Sequence, residues 1–207
     1  MGLSAEQLRA DLDALAARES GFAAALARVG YPPVRSSERG YATLLRTIIG
    51  QQVSVASAQS VWTKLEAALG DLTDPTTIAG VPDETFRSVG FSRQKTGYAK
   101  SLADEVTSGR LNLADLPADD EAAISALVRV KGIGRWSAEI YLLFAEGRRD
   151  IWPAGDLAVQ IEVGRILGLE ARPSEALTRE LAEPWRPYRG AAAIMTWHHY
   201  RADMAVI

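Results

Sequence analysis

Helix start and stop signals recur along the whole chain, whereas the alternating pattern of a β-strand is nearly absent. Ser4 with Gln7 has the spacing of a capping box. Asp74 precedes Pro75 as a cap residue precedes a proline at the first helical position, and Gly70 stands where a helix would end. The pattern predicts an all-α fold of about ten helices joined by short loops.

The predicted helices are separated by two longer irregular stretches, residues 29–40 (VGYPPVRSSERG) and 147–156 (GRRDIWPAGD). Loops of this composition are candidates for function. The predicted helices run from Ser4 to before Gly21, over 41–49, 55–69, 93–107, 121–128 with Asp119 or Asp120 as the cap, 135–145, 157–167, 174–182 and 188–202.

Composition excludes several classes of protein. With 207 residues, of which 47% are apolar, the chain can bury a core and form one domain, 1–207. The absence of cysteine excludes disulfides, zinc–thiolate sites and cysteine-ligated clusters. No apolar run is long enough for a membrane span and the opening residues lack the pattern of a signal peptide, so we expect a cytoplasmic protein without a membrane partner.

The segment 128–144 contains an apolar helical pattern that is broken by K-G-I-G at 131–134. Each glycine inside a helix costs about 1 kcal/mol, so the segment predicts two helices and a tight turn. Without a Cβ the turn can approach another backbone, and amides around Gly132 and Gly134 can bind a DNA phosphate at the start of the second helix. Such binding tolerates the net charge of −3. The alternative is an ordinary helical hairpin.

A second element lies at 151–160, I-W-P-A-G-D-L-A-V-Q, with Asp156 at a helix start. With this element the chain resembles the helix-hairpin-helix glycosylase superfamily of base-excision DNA repair, and within it the 3-methyladenine DNA glycosylase II type. The blocks that carry the resemblance are L-L-R-T-I-I-G-Q-Q-V-S-V-A-S-A (44–58), V-K-G-I-G-R-W-S-A (130–138), P-A-G-D-L-A (153–158) and W-R-P-Y-R-G-A-A-A-I-M-T-W (185–197).

The resemblance implies two helical lobes, one over about 36–138 and the other formed by about 1–35 with 139–207, and an active-site cleft between them. It implies double-stranded DNA with damaged bases as the partner of a monomer, and no cofactor beyond a structural Na⁺ or K⁺ on the main-chain carbonyls of Val128, Val130 and Gly132. Longer bacterial members carry an N-terminal β domain that we do not expect here, which leaves the range of substrates open.

Asp156 is the expected catalytic residue. Cleavage of a base–sugar bond passes through an oxocarbenium-like state, which a nearby carboxylate stabilises more than it stabilises the ground state. The same carboxylate can activate water. As a purely structural alternative, Asp156 is the N-cap of the next helix.

Trp136 bears on the reaction type. The resemblance implies that bifunctional members carry a Schiff-base lysine at this position, two residues after the second hairpin glycine. Tryptophan there predicts a monofunctional enzyme that uses water and leaves an abasic site. Lys131 lies inside the hairpin, where we expect it to contact phosphate.

The extruded base needs a pocket and the duplex needs a wedge. Trp136 and Trp197 match the aromatic walls of the alkylation branch, and Tyr141 lies about one helical turn from Trp136; core packing is the alternative for each. Gln52 is the expected wedge, or else a helix cap. The expected DNA-binding residues are Gln51, Gln52, Lys131, Gly132, Gly134, Arg135 and Ser137.

These residues predict a glycosylase for alkylated purines, 3-methyladenine and 7-methylguanine. The alternatives are a glycosylase for another damaged base, a DNA-binding module without chemistry, and a helical scaffold for protein interactions. The adjacent His198 and His199 have no acidic neighbours in sequence, so we assign them neither a metal nor a catalytic role.

Overall fold

The computed structural model describes residues 2–204, and over this range the chain is helical, without a single β-strand. The predicted fold class, all-α, is confirmed. Eleven α-helices are present among the described residues, with two 3₁₀ turns and one π-helical turn. None of the helices in this range combines the length and the apolar character needed to cross a bilayer.

The helices are numbered in chain order. They are α1 (Ala5–Ala16), α2 (Ser20–Val29), α3 (Tyr41–Gly50), α4 (Val55–Leu69), α5 (Asp83–Ser88), α6 (Arg93–Thr107), α7 (Asp120–Val128), α8 (Arg135–Tyr141), α9 (Leu157–Ile166), α10 (Glu175–Leu181) and α11 (Arg189–Met204), with 3₁₀ turns at Pro75–Thr77 and Glu183–Trp185 and a π-helical turn at Leu142–Glu146.

The chain divides into two compact units. One is the continuous segment Glu38–Tyr141, which contains α3 to α8. The other combines the residues before Glu38 with those after Tyr141, and contains α1, α2 and α9 to α11. The predicted lobes divide near residues 36 and 138, and the compact units divide at Glu38 and Tyr141.

Side-chain caps explain where several helices begin. Ser54 accepts a hydrogen bond from the amide of Ser57 at the start of α4, and Ser92 accepts one from Lys95 at the start of α6. Each cap satisfies one of the amides that the first turn of a helix leaves without an intrahelical partner. Asp119 caps α7, which decides between the two aspartates considered for that position.

The core of the unit formed by the two chain ends is built around three aromatic rings. The Trp185 ring meets the edges of Phe22 and Trp152, with centroid separations of 4.9 and 5.4 Å. All three side chains are buried. Because Trp152 belongs to the irregular stretch 147–156, this packing draws that stretch into the core.

In the Glu38–Tyr141 unit, α3 packs against α4, α6 and α8. Leu44, Leu45 and Ile48 recur on α3 at helical spacing, and none of the three is exposed to solvent. Their burial fixes the orientation of α3, and therefore of the turn at Gln51 that continues from it.

Two predicted helix boundaries are wrong. The first predicted helix does not run up to Gly21: α1 ends at Ala16, and Gly21 lies inside α2. A Cβ on Gly21 would stand 2.2 Å from the carbonyl oxygen of Ile166, so this glycine permits α2 to approach α9. The predicted helix 135–145 is also not uniform, because α8 is followed by the π-helical turn.

Gly21→Ala is expected to lower the free energy of unfolding by about 2 kcal/mol or more, since the methyl group has no space against the Ile166 backbone. Gly97→Ala is the matched control: Gly97 is exposed inside α6 with nothing within 4 Å of a Cβ. It should raise the free energy of unfolding by about 0.5–1 kcal/mol. Denaturant unfolding of both variants checks the pair, and equal effects would contradict this account of Gly21.

Candidate active site

Asp156 is held by three hydrogen bonds to one of its carboxylate oxygens. Oδ1 accepts from the amides of Ala158 and Val159, at 2.9 and 3.0 Å, which makes Asp156 the N-cap of α9. The same oxygen accepts from the indole Nε1–H of Trp197, at 3.2 Å. The structural interpretation of Asp156 as a cap is therefore correct, and the carboxylate is also joined to one predicted aromatic wall.

Three hydrogen bonds to backbone carbonyls hold the loop that carries Asp156. The amide of Asp156 donates to the Pro153 carbonyl at 2.9 Å, and the side-chain amide of Gln160 donates to the Ala154 carbonyl at 2.9 Å. Trp152 donates its indole N–H to the Thr178 carbonyl at 3.0 Å. Residues 151–154 of the loop are buried, unlike most irregular segments.

Ion pairs anchor the same loop at its start. Arg149 forms a two-pronged hydrogen bond with the buried Asp11 of α1, with Nε at 3.1 Å from Oδ2. Asp150 accepts from the guanidinium groups of Arg186 and Arg189. These contacts tie the loop to α1 and α11, and side-chain order in the loop is thereby fixed before any ligand binds.

A narrow recess of about 30 Å³ lies beside Trp197. Its lining consists of Pro32, Pro33, Arg35, Phe144, Ile194, Trp197, His198 and Arg201. The Phe144 and Trp197 rings are 5.8 Å apart between centroids and tilted by 32°. Two larger grooves lie in the Glu38–Tyr141 unit, and neither is lined by a predicted site residue.

Phe144 and Arg35 line the recess beside Trp197, and the sequence patterns do not predict this position. Phe144 reaches Trp197 from the π-helical turn, and such turns are frequent at functional sites. The change from α-helical to π-helical hydrogen bonding in such a turn has no clear sequence signature. Arg35 stands in the irregular stretch 29–40, whose composition indicates a loop but not its contact with aromatic rings.

The predicted hairpin is present. α7 ends at Val128, and after the turn α8 begins at Arg135. Gly132 has a φ of +86°, and a Cβ there would overlap the Tyr98 ring at 2.2 Å. Gly132 is therefore required by packing inside the protein, and its expected role in binding DNA stays a prediction. Around Gly134 nothing lies within 4 Å of a Cβ, and the backbone is not left-handed.

The turn after α3 carries the predicted wedge. Gln52 has a φ of +56° and is the only residue other than glycine with a positive φ between residues 2 and 204. Backbone strain of this kind persists where the surroundings impose it and is common at functional sites. Here Lys95 Nζ donates to the Ile49 carbonyl at 2.7 Å, and Gln51 Nε2 donates to the Gly132 carbonyl at 2.8 Å.

Gln51 is a predicted DNA contact, and the structure gives its side chain an internal partner. The bond to Gly132 joins the turn at Gln52 to the hairpin, so the two elements keep a fixed relation within the Glu38–Tyr141 unit. Gln52 itself is exposed, as a wedge would have to be.

Arg135 is also a predicted DNA contact, and its guanidinium is paired within the protein. It binds Glu121 through both terminal nitrogens, with Nη1 at 2.9 Å, and donates from Nε to the buried Glu139 at 2.9 Å. The hydrogen bonds to Glu121 raise the pKa of Arg135. The structure favours a role in holding α8 against α7. Ser137 is buried, whereas the Lys131 side chain is exposed.

The two aromatic residues predicted on α8 differ in exposure. Trp136 is 48% exposed, which sets it apart from the buried tryptophans 62, 152 and 185. Tyr141 is buried, and its hydroxyl oxygen accepts a hydrogen bond from the Gly40 amide at 2.8 Å. The structure favours core packing for Tyr141, while Trp136 remains a candidate pocket wall.

The hairpin carbonyls allow a test of the predicted monovalent ion. The carbonyl of Val130 accepts from the Ile133 amide at 3.0 Å, and that of Gly132 accepts from Gln51. Each carbonyl has a second lone pair, so these oxygens, with that of Val128, fit a Na⁺ or K⁺ ion, and the ion stays a prediction. Among the side chains that the structure describes, residues 2–202, no group of three His, Asp or Glu could hold a metal.

The two histidines have partners within the protein. His198 Nε2 donates to the Val29 carbonyl at 3.1 Å. His199 Nδ1 lies 2.5 Å from Oε2 of the buried Glu162. Glu162 is the acidic partner that sequence neighbourhood does not reveal.

The hairpin, the capping acid and the tryptophan bonded to it occur together in a chain that matches a known family over residues 45–187. The chain belongs to the HhH-GPD superfamily of base excision DNA repair proteins. The match covers more than half of the 207 residues, and it includes the hairpin and Asp156. The interpretation as a protein-interaction scaffold is therefore wrong.

Similar proteins carry related names. YfjP of Bacillus subtilis, named provisionally as a DNA-3-methyladenine glycosylase, is 27% identical over 165 residues, 76% of this chain and 58% of that protein. The chain thus spans less than two thirds of that relative. The DNA-3-methyladenine glycosidase of Bacillus halodurans has a similar structure, with a TM-score of 0.86 and 25% identity over 94% of this chain and 91% of that one.

A third similar protein was solved with DNA. The 3-methyladenine DNA glycosylase Mag1 of Schizosaccharomyces pombe, in complex with abasic DNA, has a TM-score of 0.72 and 27% identity. The similarity covers 94% of this chain and 96% of that one.

The two hairpin glycines are expected to respond differently to alanine. Gly132→Ala should lower the free energy of unfolding by about 1–3 kcal/mol, because it combines a clash with Tyr98 and a left-handed backbone. Gly134→Ala should change it by less than about 0.5 kcal/mol. Thermal and denaturant unfolding measure both, and an equally destabilised Gly134→Ala would show that its surroundings are closed.

Proposed function

We propose that this protein is a monofunctional DNA glycosylase that removes alkylated purines, 3-methyladenine and 7-methylguanine, from double-stranded DNA. The observation that carries the proposal is the carboxylate of Asp156, held at the start of α9 and bonded to the indole of Trp197. The names of the similar proteins include 3-methyladenine, which supports the first of these substrates.

Asp156 supplies the electrostatic part of the reaction. As the base–sugar bond breaks, positive charge develops at C1′ of the deoxyribose, and a carboxylate held beside it lowers the energy of that state. Because hydrogen bonds already fix the position of the carboxylate, little reorganisation accompanies the reaction. The carboxylate also orients the water that adds to C1′ and takes up its proton.

Alkylated purines suit a site with a single acid. A 3-methyladenine or 7-methylguanine base carries a positive charge, so it leaves as a neutral molecule and needs no general acid. Its glycosidic bond is already weakened, and most of the discrimination arises there. An indole face, that of Trp197 or of Trp136, adds a preference of roughly 0.5–2 kcal/mol for a cation.

The hairpin supplies affinity for the DNA backbone. Open space around Gly134 leaves the amides at the start of α8 accessible to a phosphate, and the exposed Lys131 side chain lies in the same turn. Gln52 fills the gap left by the extruded base. The protein acts as a monomer in the cytoplasm, on the chromosome.

Asp156→Asn is expected to reduce release of 7-methylguanine by about 10²–10³-fold, while stability and affinity for DNA stay near normal. The Asn side-chain oxygen can accept the same three hydrogen bonds but carries no charge. Asp156→Ala is the control for structure, because loss of the cap should cost about 1 kcal/mol. Single-turnover release and unfolding of both variants are measured. An Asn variant within about threefold of the wild-type rate would exclude this role, and no release by the wild type would favour a DNA-binding module without chemistry.

The product is expected to be an intact strand with an abasic site, broken only by later alkali or heat. Trp136 stands where the resemblance implies a Schiff-base lysine in bifunctional members, so borohydride should trap no covalent complex. Gel analysis of the reaction, with and without borohydride, checks both. A trapped complex would mean that a lysine of this chain reacts with the sugar.

A further inference from the structure

The C-terminal end of α3 is bound by a lysine from another helix. The last four carbonyls of an α-helix have no partner within the helix. Ile49 belongs to this group in α3, and its carbonyl accepts a hydrogen bond from Nζ of Lys95, on α6, at 2.7 Å. A cation at this end of a helix also interacts favourably with the helix dipole. Lys95 therefore caps α3 from outside, just before the turn that contains Gln52.

The turn that follows α3 has a backbone that needs such support. Gln52 has a φ of +56°, in the left-handed region that a residue other than glycine rarely adopts. Before it, Lys95 and Gln51 bind carbonyl oxygens at 2.7 and 2.8 Å. After it, Ser54 caps α4. A strained residue keeps its conformation only where its surroundings impose it, and Lys95 is one of the groups that do so.

The helix that carries Lys95 also holds the hairpin. Tyr98 lies about one turn after Lys95, and its ring occupies the space beside Gly132. About one turn beyond that, Ser101 Oγ accepts a hydrogen bond from the Lys131 amide at 3.0 Å. Helix α6 therefore fixes the turn after α3 and the hairpin turn relative to each other, within one compact unit.

We infer that Lys95 is a positioning residue for the wedge: it holds the strained turn so that Gln52 is placed to enter the duplex before DNA binds. The inference rests on the proposed glycosylase function, in which Gln52 fills the gap left by the extruded base. Lys95 acts through the backbone of the turn. Extrusion from a fully paired duplex includes the cost of unpairing, which is lower for a base without a pairing partner. Loss of Lys95 therefore affects a paired lesion more than an unpaired one.

Substitutions separate this role from a general effect on the fold. Lys95→Met removes the donor and the charge but keeps a long, unbranched side chain. Lys95→Arg keeps both a donor and the charge. Lys100→Met is the matched control, because Lys100 lies on the same helix and pairs with Asp83. Gln52→Ala removes the wedge itself, and it is also combined with Lys95→Met.

The first measurement is single-turnover release of 7-methylguanine, with enzyme in saturating excess, from a duplex with cytosine opposite the lesion and from one with an abasic analogue there. Lys95→Met is expected to slow release from the paired duplex about tenfold, as for loss of one hydrogen bond to a charged group, and from the other by less than about threefold. Lys95→Arg should stay within about threefold of wild type on both duplexes, and Lys100→Met within about twofold. Added to Gln52→Ala, Lys95→Met should cost less than about a further twofold, because both act through one element.

The second measurement needs no base release. A duplex in which 2-aminopurine adjoins an abasic analogue reports insertion of the wedge, because the fluorescence of 2-aminopurine changes with its stacking. At saturating protein, Lys95→Arg and Lys100→Met should give the wild-type change. Lys95→Met and Gln52→Ala should each give less than about half of it, since the gap is then filled less often.

Slower release from the paired duplex alone, with a smaller fluorescence change, supports the inference, because misfolding or damage to the chemistry at Asp156 would slow release from both duplexes. Equal slowing on both duplexes, a wild-type rate or wild-type fluorescence change for Lys95→Met, slow release by Lys95→Arg, or no fluorescence change with wild type would each overturn it. If wild type releases 7-methylguanine from neither duplex, the alkylation proposal fails, and the fluorescence of the variants still decides the role of Lys95.

Discussion

The geometry of the candidate site depends on one oxygen atom, Oδ1 of Asp156. It accepts hydrogen bonds from two amides at the start of α9 and from the indole of Trp197. The helix, the loop that precedes it and the aromatic ring therefore cannot move independently. The cap and the proposed reactive role do not exclude each other, because the cap uses Oδ1 of the carboxylate and leaves its charge in place.

Much of the loop before Asp156 is buried, as residues of a protein core are. Ile151, Trp152 and Ala154 are buried, and Arg149 and Asp150 bind partners on α1 and α11. Stabilisation of a transition state by charge is strongest when the charged group is placed before the substrate arrives. A loop held in this way gives that placement without a regular secondary structure.

Local signals make much of the fold predictable. The bounds 55–69 and 93–107 agree with α4 and α6, because Ser54 and Ser92 cap helices whose first residues come directly after them in sequence. Gly21 cannot be interpreted in this way. Its neighbours in sequence favour a helix, and a glycine among them usually indicates that the helix ends. The glycine is needed here because the carbonyl of Ile166, in α9 and distant in sequence, lies against it.

For the candidate site, too, the sequence predicts residues in contiguous motifs but not contacts between distant segments. Asp156, Trp197 and the hairpin can be found because each belongs to a contiguous block. The sequence identifies Gly132 as important but does not show that the Tyr98 ring packs against it. The sequence also does not show that the Gln51 side chain binds the Gly132 carbonyl. Phe144 and Arg35 lie in segments whose backbone has no simple periodicity, so no sequence pattern places them beside Trp197.

The π-helical turn at Leu142–Glu146 contains one residue more than an α-helix needs for the same rise, since its hydrogen bonds join residues five apart instead of four. Each residue of an α-helix turns the chain by about 100°. Shortening this turn by one residue would restore regular α-helical bonding and rotate Phe144 by about that angle relative to the loop at 147–156. The contact between Phe144 and Trp197 therefore depends on the number of residues in this turn. A conservative substitution would preserve the contact, whereas deletion of one residue would not.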